Sequence, residues 1–523
     1  MQIKLTKAKW IYGLINLVLL IALGFWVYQK NQAVDMVSPE LTQNKLQCVS
    51  YAPYYKKGVS PLIEGTMIKP SQIDDDLKLL STISSCVRTY SVSQGMDYVP
   101  EAAAKLGMQV YLGAWIGWTD ADNVLEVKHA AQVANAYPET VKALIVGNEV
   151  FLRQEQDVAS MRTYFALAKS LTNIPITYAD VWEFWLRYKT IAKDVDFHTV
   201  HILPYWEDNP VGIDNAVNHT ANVMATLKDQ FTKPILIGET GWPSVGRQRS
   251  ESVPSVVNQA RYIREFVQKA NENNWQYNII EAIDQPWKRT LEGTVGGYWG
   301  IIAADLTPKF SLTEAVAERH DAGSLLGVGL AGAFLFFVIA LKLSEQRVFM
   351  LLGLAAFGAT GSMLAYLGYE YVQSASRDWL EWFALGGLFI LGLIMMLLHP
   401  LRSIRNQQNM NKLMIGLKLV FLYAALITGY LIYFDGRYRD FPILLFVMPV
   451  LTMIFDLARP KDKTINWLMQ AMPAALAVMF AVLCYVNEPT NMAATNWLLL
   501  CVAIAYVNWP SQFLSTLAIR KSK

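Results

Sequence analysis

The strongest constraint on this chain is where its apolar runs lie. Trp10 to Tyr28 is a stretch of 19 residues with no charge, broken only by the polar Asn16, and beyond Asp321 the sequence turns apolar again and stays so. The roughly 290 residues between hold no such run. A helix of about 20 apolar residues crosses the roughly 30 Å of hydrocarbon in a bilayer. The chain therefore calls for lipid at both ends and for a water-soluble core in its middle. Its charged fraction, 17% against about 25% in ordinary soluble domains, averages over those two parts.

The first run is longer than the apolar region of a signal peptide, and no small-residue cleavage site follows Tyr28. With Lys4, Lys7 and Lys9 ahead of it, it reads as an uncleaved anchor with a cytoplasmic N-terminus. Seven further spans are expected at 323–343, 348–368, 382–398, 413–434, 441–457, 467–486 and 493–509. Lys and Arg in the short connections set their orientation. Lys342, Arg347, Arg402, Arg405, Lys412, Arg459, Lys461, Lys463, Arg520, Lys521 and Lys523 fall on the side of the N-terminal lysines. Only Arg377, Arg437 and Arg439 fall on the other. An even total of eight spans agrees with that bias. Both termini are expected in the cytoplasm and the middle domain outside, in the periplasm of a host with two membranes. Lys418 and Asp456 lie near cytoplasmic ends, where charges snorkel to the interface. Gly353, Gly358 and Gly361 provide for close helix packing. The expected organisation is an anchor at 1–30, a linker at 31–44, a folded outer domain at 45–320, and an all-α, polytopic seven-helix transmembrane domain at 321–523.

Within 45–320, short β-rich runs at 46–54, 85–91, 108–115, 142–149, 174–181, 197–206, 234–239 and 278–284 alternate with amphipathic stretches such as 73–80, 124–137, 161–171 and 256–271. Strand alternating with helix makes a parallel sheet. Eight such units in about 270 residues fit an α/β domain of the (β/α)8, or TIM barrel, type. A doubly wound sheet would carry a glycine-rich phosphate turn after its first strand, and none is there. Barrel chemistry sits where strands end. Strand four ends in Glu149 and strand seven in Glu239, each directly after an apolar run. One such glutamate alone is readily a helix cap. Two that face each other across a barrel mouth suit glycoside hydrolysis, where one protonates the leaving oxygen and the other attacks the anomeric carbon or activates water.

The residues around these glutamates are recognisable. Val146-Gly147-Asn148-Glu149-Val150 and Ile237-Gly238-Glu239-Thr240-Gly241-Trp242-Pro243-Ser244 resemble the two catalytic motifs of glycoside hydrolase family 17, the β-1,3-glucanase family. Arg88-Thr89-Tyr90 and Pro204-Tyr205-Trp206 are similar to further stretches of it. The resemblance covers residues 45–312, and with the flanking spans the chain is similar in type to bacterial membrane-bound β-glucan glucosyltransferases. It implies a retaining mechanism with Glu149 as general acid/base, Glu239 as nucleophile and Asn148 on the sugar 2-hydroxyl. Arg88 and Tyr90, two apart on one strand, share a face from which to hydrogen-bond the nucleophile, and Tyr205 reaches it from strand six. Tyr51, Trp242 and Trp287 complete the expected sugar-binding set, since aromatic platforms suit the flat C–H faces of sugars. The family pattern carries Glu and Lys on its last strand; here Asp284, Gln285 and Lys288 stand in that stretch, a departure on the acceptor side. The implied activity is transglycosylation of β-1,3-glucan as it emerges from a synthase or export complex, with the lipid bilayer as a second partner. A strict β-1,3-glucan hydrolase and a non-enzymatic membrane glycan receptor are the alternatives.

Other constellations are expected to carry no chemistry. A net charge of +2 gives no reason for a nucleic-acid partner. His198 and His201, three apart on a strand, point to opposite faces, so no metal site is expected, and no cofactor; His201 lining the cleft is a separate option. Asp74, Asp75 and Asp76 are read as acids opening a helix. Asp120, Asp122 and Asn123 lack the spacing of a calcium loop. Cys48 and Cys86, early on adjacent strands, allow a disulfide, with free buried thiols the favoured reading.

Overall fold

The computed structural model describes residues 2–342, 348–404, 408–455 and 468–509. Of the residues invoked above, Arg347, Arg405, Asp456, Arg459, Lys461, Lys463, Arg520, Lys521 and Lys523 lie outside the described residues. The chain falls into two compact units. One comprises Val34–Val245 with Glu251–Val316, the other Met1–Ala33, Gly246–Ser250 and Ala317–Lys523.

The first unit is a closed barrel of eight parallel strands in sequential order: β1 (Val49–Ser50), β2 (Cys86–Arg88), β3 (Gln109–Ala114), β4 (Val141–Asn148), β5 (Ile176–Val181), β6 (His198–His201), β7 (Ile235–Thr240) and β8 (Gln276–Ile279). Side chains alternate across each strand. One set, including Val110, Leu112, Leu144, Val146 and Ile237, packs outward on the surrounding helices. The other, Cys86, Tyr111, Ala143, Ile145, Ala179 and Leu236, forms a separate cluster within the ring. Helix starts are written locally. Asp157 accepts from the Ser160 N–H to open Val158–Leu171, and Ser255 accepts from Asn258 to open Val256–Asn273.

Two expectations change here. Cys48 and Cys86 are joined by a disulfide, not held as free thiols. Both belong to the inward cluster, Cys48 just before β1 and Cys86 opening β2, with Cα atoms 4.3 Å apart. The acids at 74–76 do not open a helix, because Pro70–Leu80 begins at its proline. Asp76 instead lies buried and accepts hydrogen bonds from Tyr51 and Tyr55, at 2.8 and 2.7 Å.

The second unit is helical. Among the described residues, six of its helices are long and apolar enough to cross a membrane: Trp10–Lys30, Ala322–Ala340, Met350–Ala375, Trp379–Leu401, Asn409–Phe434 and Met469–Asn487. Ile443–Phe455 and Met492–Asn508 are shorter apolar helices. All eight fall on the segments read as spans. A Cβ on Gly358 would strike the carbonyl of Gly332, and one on Gly353 would strike Gly13, so glycines do set close helix approach in this unit.

Candidate active site

The site is built at the carboxyl ends of the strands. In β4 the pairing with β5 slips between Ile145 and Asn148. Gly147 and Glu149 then take positive φ, +86° and +51°. For a glutamate that conformation is strained, and strain held by its surroundings is a mark of functional positions. The slip turns Glu149 into the mouth while its N–H donates to Ala179 O at 2.7 Å. Glu239 comes from the end of β7 and is buried.

Arg88 ties these pieces together. It is wholly buried, and its Nη1 donates to Glu239 Oε1 at 2.8 Å and to Gly238 O at 2.9 Å. Its Nη2 donates to Asn148 Oδ1, which turns the NH2 end of that amide into the donor for a ligand. Tyr90, two residues on, donates to the same Glu239 oxygen at 2.9 Å, and its hydroxyl is 3.0 Å from Ser50 Oγ. Burial alone would push the Glu239 carboxyl up. The His201 imidazole that faces it, the charges of Arg88 and Lys288 and the Tyr90 hydrogen bond outweigh it and hold the group below the usual glutamate value. The phenol of Tyr90 is pushed well above its ordinary value by burial and by the Glu239 charge, so it stays a donor.

The two glutamates lie close. Glu149, His201 and Glu239 each present a polar atom within 4.8 Å of the others. That trio has the outline of a cation site, but the Arg88 guanidinium already occupies Glu239, and the imidazole hydrogen-bonds Glu149. His198 faces the other way, edge-on to Trp185 at 4.8 Å and against Phe231 at 4.6 Å.

Alternation decides which further expected residues reach the mouth. Ser50 points inward, so its neighbour Tyr51 points outward, and its hydroxyl is spent on Asp76. Tyr51 is not part of the cleft. Trp242 is fully buried, with its indole N–H on Val253 O at 3.0 Å, and leaves no face open to a sugar. Tyr205 packs edge-on to both Trp242 and Trp299. Trp287 is half-buried, its indole N–H donating to Gln285 Oε1 at 2.9 Å.

Three acids were missed. Glu281 follows β8, buried, with Lys288 Nζ at 3.0 Å. Burial pushes its carboxyl up to about 7 against the pull of Lys288. Glu292 is raised by burial too, and sits in the field of the same lysine. The Glu and Lys sought on the last strand are thus present as Glu281 and Lys288. Reading the strand as 278–284 hid Glu281 in its interior; β8 ends at Ile279. The rule that exposed Glu149 and Glu239, a carboxylate just past an apolar strand, would have found it. Asp180, at the end of β5, is pushed up to about 7 by burial and by the Glu149 charge.

A parallel barrel with two converging carboxylates at its mouth, one buried and held below its usual value, has the arrangement of a glycosidase site. Residues 48–300 match the family model of the BtgE/BtgC glycoside hydrolase domain. A glucan 1,3-β-glucosidase of Candida albicans is 25% identical over 276 residues, 48% of this chain and 88% of the relative. A Saccharomyces cerevisiae protein of the same description is 24% identical, covering 48% and 87%. A solved glycoside hydrolase family 17 β-1,3-glucanosyltransferase from Rhizomucor miehei is 27% identical, covers 52% of this chain and 98% of that one, and superposes with a TM-score of 0.46. The barrel is a glycosidase or transglycosidase domain, similar to the glucan 1,3-β-glucosidases of these fungi.

Proposed function

We propose that the protein is a membrane-anchored, retaining β-1,3-glucan transglycosylase. The observation that carries the mechanism is the approach of the Glu149 and Glu239 carboxylates, one oxygen of each lying within 4.8 Å of the other. Retaining enzymes hold their carboxyl groups about 5–5.5 Å apart, whereas inverting ones leave roughly 6.5–9.5 Å for a water. Glu239, kept ionised by Arg88 and Tyr90, attacks the anomeric carbon while Glu149 gives its proton to the glycosidic oxygen. Glu149 then takes the proton of an incoming sugar hydroxyl as that oxygen displaces Glu239. Asn148, oriented through its amide oxygen by Arg88, donates to the 2-hydroxyl. Trp287, the half-buried ring at the mouth, offers a sugar platform. The glucan assignment rests on the 1,3-β-glucosidases named above.

The eight apolar helices are read as spans, with both termini cytoplasmic and the barrel in the periplasm. The organisation we propose is an anchor at 1–30, a linker at 31–44, a barrel domain at 45–320 and a seven-helix domain at 321–523. The Cys48–Cys86 disulfide supports the outward placing, since such bonds persist in oxidising compartments. A glucan synthase or export complex is the proposed partner of the helical domain. Purification in mild detergent that repeatedly yields the protein alone would remove that partner.

The test of function follows product lengths by mass spectrometry when the detergent-solubilised protein meets β-1,3-gluco-oligosaccharides, beside Glu239→Ala and Glu149→Ala. Products longer than the substrate, lost by about 10⁴-fold or more in Glu239→Ala, are expected. Only shorter products would make the protein a hydrolase at the same site. Saturable binding without turnover would replace the enzyme by a glycan receptor.

A further inference from the structure

His201 occupies a place between the catalytic carboxylates that the mechanism above does not use. The barrel register pairs it with Glu239 across β6 and β7, and its imidazole is wholly buried. Nδ1 is 2.9 Å from Glu149 Oε1 and 3.6 Å from Glu239 Oε2. Nε2 is buried and has no hydrogen-bond partner among the described residues. That asymmetry selects the tautomer. A proton on Nε2 would be a buried donor with nothing to accept it, whereas a proton on Nδ1 is donated to a carboxylate. The seat of the ring is cut by the motif itself. A Cβ on Gly238 would strike Thr199 Cγ2 at 2.3 Å and come 3.3 Å from His201 Cδ2 and 3.4 Å from its Nε2.

Resting on the two-carboxylate reading, we propose that His201 is a positioning residue that gives the two oxygens of Glu149 separate tasks. Oε1 is held by the imidazole N–H; Oε2 carries the catalytic proton. In the first step that proton passes from Oε2 to the glycosidic oxygen as its bond to the anomeric carbon breaks and the bond to Glu239 forms. In the second, Oε2 takes the proton of the acceptor hydroxyl as its oxygen bonds the anomeric carbon and the bond to Glu239 breaks. The imidazole keeps its proton on Nδ1 through both. Without that donor, two carboxyl groups this close can share a proton with each other instead of delivering it to the leaving group.

The experiment compares His201→Asn and His201→Gln in the full-length, detergent-solubilised protein. Asparagine places an amide N–H where Nδ1 stands; glutamine places one where Nε2 stands. Each variant is assayed on laminaritetraose, whose leaving group needs a proton, and on 2,4-dinitrophenyl β-laminaribioside, whose leaving group does not. The expected result is a loss in kcat/KM, which reports the first step alone, of about 10²-fold for His201→Gln on laminaritetraose with less than about threefold on the dinitrophenyl substrate, and His201→Asn within about tenfold of wild type on both. Equal losses on the two substrates, or a glutamine variant as active as the asparagine one, would overturn the role given to His201 and leave the glutamates in place. Wild type that turns over neither substrate would overturn both this role and the reading beneath it.

Discussion

Glu239 at the end of β7 and Glu281 just past β8 are buried to nearly the same degree, 5% and 1% exposed, on neighbouring strands of one barrel. Their carboxyls nevertheless move in opposite directions. Glu239 is held below the usual value and Glu281 is pushed up to about 7. Burial opposes ionisation at both. The difference lies in the donors. Glu239 Oε1 receives Arg88 and Tyr90, and Oε2 faces His201. Glu281 has Lys288 on Oε2, while its Oε1 is buried with no partner among the described residues. Lys288 is moreover shared with the charge of Glu292. One carboxylate is thus favoured as an anion, the state that the proposed nucleophile needs, while its neighbour is pushed toward keeping a proton.

The largest test of that comparison removes the guanidinium. Arg88→Met leaves Glu239 buried with its guanidinium partner gone, and breaking a buried pair costs about 3–5 kcal/mol while the remaining charge persists. The carboxyl should rise. The acidic limb of kcat/KM against pH should move upward, and the rate at pH 7 should fall by about 10²-fold or more. The depressed carboxyl of the native protein contributes stability above its unfolded value and loses it as pH falls, so the variant should also melt with less dependence on acid. An unmoved acidic limb would sink the claim that Arg88 keeps the nucleophile ionised. Tyr90→Phe removes one hydrogen bond to the same oxygen, worth roughly 1.5–3 kcal/mol to a charged group. With Arg88 in place, about a tenfold loss and a smaller shift of the same limb are expected. A larger effect than that of Arg88→Met would reverse the ranking of the two donors.

Much of the β7 side was legible in the sequence, because its signals are local. An apolar run that ends in a carboxylate marks Glu149 and Glu239, and a spacing of two on one strand puts Arg88 beside Tyr90. The strand limits were not legible to the residue, and in a barrel one residue changes the face. Tyr51 was assigned to the cleft, yet Ser50 takes the inward place and Tyr51 turns to Asp76. Trp242 belongs to a sugar-binding motif by sequence but packs against Tyr205 and Tyr262. Glu281 was lost inside an overlong strand. His201 was seen, but its place between the two glutamates depends on slips in pairing on both sides of the site, at Asn148 and at His201 itself. Pairwise contacts of that kind leave no trace in a hydrophobic pattern.

The smallest expected effect tests the β8 side and has the opposite sign. Glu281 has a folded value of about 7 against an ordinary 4.5. A carboxyl raised on folding contributes stability that is full below its unfolded value and is lost as pH climbs through the folded one. Stability of the native protein should therefore decline between about pH 4.5 and 7 on account of this group. Glu281→Gln keeps the shape and removes the titration. Melting temperatures across that window should flatten relative to wild type, with the variant ahead at pH 7.5 by about 1 kcal/mol; the gain is limited because Lys288 loses a partner in the same step. Turnover should change far less than in Arg88→Met, since the Arg88 and Tyr90 contacts to Glu239 are untouched. A variant that keeps the full wild-type slope would mean that Lys288 holds Glu281 ionised. The two buried glutamates would then be alike, and the contrast between the two sides of the mouth would have to rest on geometry alone.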